Sequence, residues 1–405
     1  MSHIDELIKM HCPNGIAFKT LGEIGIFVRG NGMPKTDFTE TGVGAIHYGQ
    51  IYTFYGIWAT ETKSFVAHAT ASKLAKVDPG DVIITNTSEN LEDVGKAVAW
   101  LGAEQIVTGG HATVFKHREE PKYIAYWLQS PSFQLQKKKL ATGTKVIDVS
   151  AKSLAKVIIP VPPIEVQKEI VRVLDTFSKL EAELEAELEA RRSQYTFYRD
   201  SLIAANNSSS VPMGKVGSFK RGRRFTKNDV VADGIPSMHY GEIYTHYGVS
   251  AETALTHVRS DLSKKLCFAQ PGDVVIATVG ETVEDVAKAV AWLGSEPIAI
   301  HDDTAFFRSE ENPKYISYAM QTADFHSQKN KHVARGKVKR LSGDGLSKIQ
   351  VPVPPRKEQD RIVAILDKFD ALVNDLSTGL PAELNARRQQ YEHYRDRLLT
   401  FQGAV

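Results

Sequence analysis

The sequence predicts a mixed α/β (α+β) protein. Two duplicated domains with curved sheets are joined by two long helices, which form an antiparallel coiled coil with pseudo-two-fold symmetry. Three observations predict this. "IHYGQIYTFYG", from Ile46 to Gly56, returns as "MHYGEIYTHYG", from Met238 to Gly248. Short β-branched runs bounded by glycine recur in both halves. Each half then closes with a proline run and a long stretch at helical spacing.

The repeat sets the architecture. An offset of 192 carries "GDVIITNTSENLEDVGKAVAWLG" at Gly80 onto "GDVVIATVGETVEDVAKAVAWLG" at Gly272. The same offset carries "EPKYIAYWLQ" at Glu120 onto "NPKYISYAMQ" at Asn312, and "IPVPPIEVQKEIVRVLDTF" at Ile159 onto "VPVPPRKEQDRIVAILDKF" at Val351. "DVIIT" and "DVVIA" have the pattern of buried strands, and the "HYG" stretches are read as strands beside them. "EPKYIAYWLQS" is predicted to be a short helix packed on a sheet.

Pro160, Pro162 and Pro163 forbid helix upstream, so the first rod opens at Ile164. Ile170, Leu174, Phe177, Leu184, Leu188, Tyr195, Tyr198 and Leu202 form its apolar seam, interrupted at Glu181 and Arg191. Such a seam needs a partner helix. The second copy supplies one through Ile362, Leu366, Phe369, Val373, Leu376, Leu384, Tyr391, Tyr394 and Leu398. "ARRSQYTFYRDSL" at Ala190 matches "ARRQQYEHYRDRL" at Ala386, where the offset is 196. The second rod therefore carries four extra residues near "STGLPAEL", a stutter with a kink expected at Gly379 and Pro381. The first rod instead repeats a tetrapeptide, "EAELEAEL" from Glu181 to Leu188. The expected boundaries are 1–163 and 207–355 for the two domains, with 164–206 and 356–405 for the helices.

Composition excludes several classes. The chain has 405 residues, 42% hydrophobic and 24% charged, enough for a core in each half. No apolar run is long enough to span a membrane, and "MSHIDELIKMHC" lacks the apolar centre of a signal peptide. Cys12 and Cys267 give no disulfide framework, so a reducing cytoplasm is the expected location. No phosphate-binding glycine loop, dinucleotide fingerprint, zinc-helix motif or nucleophile elbow is present. His111 and His117 have no full counterpart in the second copy, so no metal site is expected. The carboxylates of "ENLEDV" (Glu89, Glu92, Asp93) and "ETVEDV" (Glu281, Glu284, Asp285) fit solvated turns better than acid–base catalysis. No enzymatic turnover is expected of this chain.

The net charge of +2 hides segregation. Acids crowd into "LEAELEAELEA", while cations recur in matching places of the two copies. Arg29 and Lys35 match Arg221, Arg223, Arg224 and Lys227. Lys137, Lys138, Lys139 and Lys145 match a cluster of Lys329, Lys331, Arg335, Lys337, Lys339 and Arg340. Glycine beside these cations allows close approach to phosphate, which lysine and arginine neutralise. His47, Tyr48 and Gln50, with His239, Tyr240 and Glu242, place polar tips beside glycines and are candidates for reading base edges. Gln50 suits adenine, and Glu242 suits the cytosine amino group. A coiled-coil protein–protein adaptor without DNA readout explains the rods equally well, but not the paired basic loops.

The combination resembles the DNA-specificity subunit of type I restriction–modification systems across essentially the whole chain. The resemblance rests on the two domains, on "P-x-P-P-x-x-x-Q-x-x-I-V-x-x-L-D-x-F", on "ARR-x-Q-Y-x-x-Y-R-D-x-L" and on the tetrapeptide spacer repeat. It implies two target-recognition domains, each reading half of a split site on double-stranded DNA, and a coiled coil that sets the spacing and docks two methyltransferase subunits. Motor-nuclease restriction subunits complete the implied complex. S-adenosylmethionine, ATP and Mg are implied on those partners and none on this chain. The resemblance also implies three sets of DNA contacts. The first is the early basic loop around Arg29 and around Arg221 to Arg224. The second is the "HYG" stretch with Asn86, Thr87 and Ser88, or Thr278 to Glu281. The third is the loop holding Thr142, Gly143, Thr144 and Lys145, or Arg335, Gly336 and Lys337. The unusual likeness of the two domains implies related half-sites.

Overall fold

Strand pairing repeats from one half of the chain to the other. The computed structural model describes residues 3–205 and 209–401, so the expected boundary between residues 206 and 207 lies outside the described residues. The chain divides into two units, Met1–Glu183 with Leu384–Val405, and Leu184–Glu383. In the first, the strands Gly25–Arg29, Ala112–His117, Val82–Thr85, Ala97–Trp100 and Trp58–Ala59 lie side by side in that order. Phe38–Thr39, Ser64–Val66, Val43–Ile46, Ile106–Thr108 and Ala75–Val77 make a second sheet. The second unit repeats both orders, with Val274–Ala277 at the centre of one sheet and Ile235–Met238 at the centre of the other. Val82–Thr85 and Val274–Ala277 are wholly buried, as their β-branched runs require.

Each proline motif is the joint between a domain and its rod. After Pro163 the helix Ile164–Ala204 begins, and Gln167 on its first turn is fully buried. Its amide oxygen accepts from Glu120 N at 3.0 Å, and its nitrogen donates to Pro162 O at 2.7 Å and to Glu119 Oε2 at 2.6 Å. Gln359 repeats this in the second unit, accepting from Asn312 N at 2.9 Å and donating to Pro354 O at 2.8 Å and to the Glu311 carboxylate. The helices Pro121–Trp127 and Pro313–Ala319 complete each joint with two tyrosines. Tyr123 donates to Pro160 O at 2.9 Å and Tyr126 to Asp175 at 2.9 Å. Tyr315 and Tyr318 do the same with Pro352 and Asp367, at 3.0 and 2.7 Å. Lys122 and Lys314 pair with the same two aspartates.

Within each unit the rod segments run antiparallel. In the first, Phe177 stacks on Tyr394 at 5.2 Å while Glu181 meets Arg388 at 2.6 Å, so one number rises as the other falls. In the second, Tyr198 stacks on Phe369 at 5.3 Å, and Tyr195 donates to Asp370 at 3.3 Å. These are the aromatic positions of the two sequence motifs. The second rod is broken rather than kinked, into Arg356–Asn374 and Leu380–Leu398. Asp375 ends the first piece by accepting from Ser377 N at 2.7 Å and from the hydroxyls of Ser377 and Thr378, both at 2.6 Å. Leu376, expected in the seam, sits in this break and is 81% exposed.

Removing Gln359 strands several buried polar groups, each at a cost of about 1–3 kcal/mol. Gln359→Leu is expected to lower unfolding stability by about 2–4 kcal/mol in urea titration, whereas Gln328→Leu on the partly exposed edge is expected to cost about 1 kcal/mol or less.

Candidate nucleic-acid interface

The "HYG" stretch is a capped helical turn, which corrects the strand reading. His47 precedes the helix Tyr48–Thr53, and its Nδ1 accepts from Gly49 N at 3.2 Å. Gln50 reaches back, its oxygen accepting from His47 N at 3.0 Å and its nitrogen donating to Ser64 Oγ at 2.7 Å. The helix Tyr240–Thr245 is built in the same way. His239 Nδ1 accepts from Gly241 N at 3.2 Å, and Glu242 accepts from His239 N at 3.0 Å and from Thr256 Oγ1 at 2.8 Å. Both polar ends of Gln50 and Glu242 are thus spent on closing the turn. These two hold the histidines in place. The last tyrosine is structural too, since the hydroxyls of Tyr55 and Tyr247 accept backbone N–H groups of Lys63 and Leu255 at 2.7 Å.

Because Nδ1 accepts, the neutral ring of each histidine carries its proton on Nε2. Burial is the main cause that holds His47 below the ordinary value, with the Lys35 and His111 charges adding to it. Burial does the same for His239, with the charge of His301.

In the second unit, a cleft of about 830 Å³ collects three of the expected elements. Arg221, Arg224 and Lys227 of the early loop, His239 and Glu242 of the capped turn, and Arg340 from the late loop line it. The loop His301, Asp302 and Asp303 also lines it, and the sequence reading missed this loop. Arg221 Nε donates to Asp302 O at 2.7 Å, and Arg340 meets Asp303 at 3.3 Å. The His301 ring lies tilted 4.4 Å from that of His239 and meets Phe225 edge-on. Its ligand atoms and those of the two aspartates lie within 4.8 Å of one another, but Arg221, Arg340 and the Asp303 N–H already engage this set.

Glycine places the basic loop. A Cβ on Gly222 would overlap the His301 carbonyl oxygen, and one on Gly30 would overlap that of Gly109. Backbone therefore lies directly on backbone, and Gly222 N donates to Thr304 O at 3.0 Å while Arg223 N donates to Ile300 O at 3.1 Å. In the first unit the same turn brings Tyr48 to 4.4 Å from His47 and 4.8 Å from His111. The Thr87 hydroxyl lies 2.8 Å from His111 Nδ1.

Other expected site residues divide by burial. Arg29, Lys35, Lys138, Lys139, Thr142, Gly143, Thr144 and Lys145 are exposed in the first unit. Arg223, Glu281, Lys331, Arg335, Gly336 and Lys337 are exposed in the second but do not line the cleft, nor do half-buried Tyr240 and Lys339. Asn86 is a packing residue. It is 2% exposed, donates to Val149 O at 2.8 Å and accepts from Thr113 Oγ1. Ser88 and Thr87 are buried beside it, and Thr278 donates to Asp303 O at 2.9 Å. Lys137 and Lys329, counted with the basic clusters, are buried as well. Their ammonium groups cap the carbonyls of Val94 and Val286 at 2.8 Å, and burial pulls both down to about 8.

A family model for the type I restriction modification DNA specificity domain matches residues 13–190 and 210–386. The specificity subunit of the Escherichia coli type I restriction enzyme EcoR124I/EcoR124II is 32% identical over 295 residues, which is 69% of this chain and 70% of that protein. The crystal structure of the type I restriction-modification S subunit from M. genitalium aligns with a TM-score of 0.51 at 14% identity, covering 95% of this chain and 96% of that one. A chain from a solved type I R-M system aligns with a TM-score of 0.61 at 17% identity, covering 96% and 98%. These two show the same fold.

The capped turn makes a pH prediction. A histidine depressed in the folded state adds stability that is complete above its ordinary value near 6.5 and is lost as pH falls through the lower folded value. Asparagine caps equally well without titrating. Between about pH 7 and about pH 5, the parent chain is expected to lose more melting temperature than a His47→Asn/His239→Asn variant.

Proposed function

We propose how the two domains work from one premise: the chain belongs to the type I restriction modification DNA specificity family, whose role is recognition of DNA sequence. The recognition domains, 1–163 and 207–355, each read one half of a bipartite site on double-stranded DNA. The observation that carries this reading is the second unit's cleft, where a basic loop, a capped histidine turn and Arg340 meet on one face. Arg221, Arg224 and Lys227 contact phosphates, and the Nε2–H of His239 is offered to a base edge. In the first domain Arg29, Lys35 and His47 take the same parts.

The helices Ile164–Ala204, Arg356–Asn374 and Leu380–Leu398, within the segments 164–206 and 356–405, form the ruler and dock two methyltransferase subunits, with restriction subunits joining that complex. S-adenosylmethionine, ATP and Mg belong to those subunits, and this chain supplies no catalytic group. The complex is proposed to work in the cytoplasm; among the described residues no helix is long and apolar enough to cross a membrane.

The 41-residue helix Ile164–Ala204 measures roughly 60 Å at 1.5 Å per residue. One added Glu-Ala-Glu-Leu unit after Leu188 lengthens it by about 6 Å. The unread gap between half-sites is then expected to widen by about one or two base pairs. Sequencing the methylated sites of that variant tests the ruler, and an unchanged gap would remove it. Binding of the parent chain to random duplex is expected to weaken steeply with salt, and a flat salt response would favour a protein adaptor instead.

A further inference from the structure

At one register position the two domains carry opposite charges, Asp148 in the first and Arg340 in the second. In the first domain, strand pairing sets Thr87 opposite Asp148; in the second, it sets Val279 opposite Arg340. The neighbouring loop brings His111 to 2.8 Å from the Thr87 hydroxyl in one, and Asp303 to 3.3 Å from Arg340 in the other. The offset of 192 that aligns the copies places Asp303 on His111 and Arg340 on Asp148. The strand residue changes from acidic to basic while the loop residue changes from histidine to an acid that pairs with it.

Asp303 needs an explanation, because a carboxylate in a cleft facing phosphates repels them. Its charge is compensated by Arg340, and its position is rigid. The Thr278 backbone N–H and hydroxyl both donate to Asp303 O at 2.9 Å, and Leu341 N donates to Thr278 O at 2.9 Å. Loop and strand are thereby locked together beside the guanidinium. Asp303 takes one of the five N–H donors of Arg340. The remaining donors of this exposed side chain match the O6 and N7 acceptors of guanine. Asp148, at the same register position, has only acceptors and matches an exocyclic amino group.

We infer that Arg340 is a specificity-determining residue that selects guanine in the half-site of the second domain, with Asp303 as its positioning residue. Asp148 instead selects a base carrying an exocyclic amino group in the first half-site. The inference rests on the reading that these faces of the two domains contact DNA, and it makes the two half-sites unlike at this position despite the likeness of the domains.

The test is methylated-site sequencing in cells carrying the full chain with its methyltransferase partner. Arg340→Lys keeps the charge and the exposed position but loses the fork. It is expected to relax guanine preference at one position of the second half-site by on the order of tenfold or more, with the first half-site unchanged. Asp303→Asn is expected to relax the same position. The exchange Asp303→His/Arg340→Asp is expected to shift that position toward cytosine or adenine. An unchanged second half-site in Arg340→Lys overturns the inference. So does an equal loss of methylation at all sites without relaxed preference, which would make Arg340 a phosphate contact. Absence of any sequence-specific methylation with the unaltered chain would instead overturn the functional reading beneath it.

Discussion

A buried glutamine amide holds each domain to its rod, and the rest of the molecule depends on that joint. Gln167 and Gln359 each satisfy one backbone N–H, one proline carbonyl and one carboxylate inside a water-excluded corner. Unpaired, these groups would carry a desolvation penalty on a scale comparable with much of a domain's net stability. The tyrosines and aspartates around the amide add direction, so the rod leaves each domain at a set angle. A ruler is useful only if its ends do not swivel. The proline run serves the same purpose, since it removes backbone freedom just before the helix begins.

The two domains show how a duplicated scaffold can diverge. Backbone features are kept: glycine laid against a neighbouring carbonyl at Gly30 and Gly222, and the histidine cap on a short helix. Side chains that close the cap change together, Gln50 with Ser64 and Glu242 with Thr256, so the turn survives the substitution. The loop between strands changes from "GGH" at Gly109 to "HDD" at His301, and its second and third residues lie outside the core in both copies.

Much of the architecture was legible in the sequence. The duplication, the buried strands, the short helix after "EPK" or "NPK" and the antiparallel rod contacts follow from periodicity and spacing. The "HYG" turn was not. Its Ile, Tyr and Thr content favours strand, and histidine is an uncommon partner in a capping box. Lys137 and Lys329 were hidden inside runs of cations; the available signal was Phe133 and Phe325 four residues earlier on the same buried helix face. Asn86 looked like a loop residue because its partners, Thr113 and Val149, are distant in sequence. The acidic loop at Asp302 and Asp303 carries no cation and has no acidic counterpart in the first copy, so neither charge nor repetition marks it; here it engages Arg221 and Arg340.

The central claim is that the two recognition domains read two separated blocks of DNA. Sequencing every methylated site in cells that carry this chain and its methyltransferase tests it most directly. The account predicts two short specified blocks separated by a gap of fixed length and free sequence. A single contiguous motif, or two blocks whose separation varies from site to site, would contradict it.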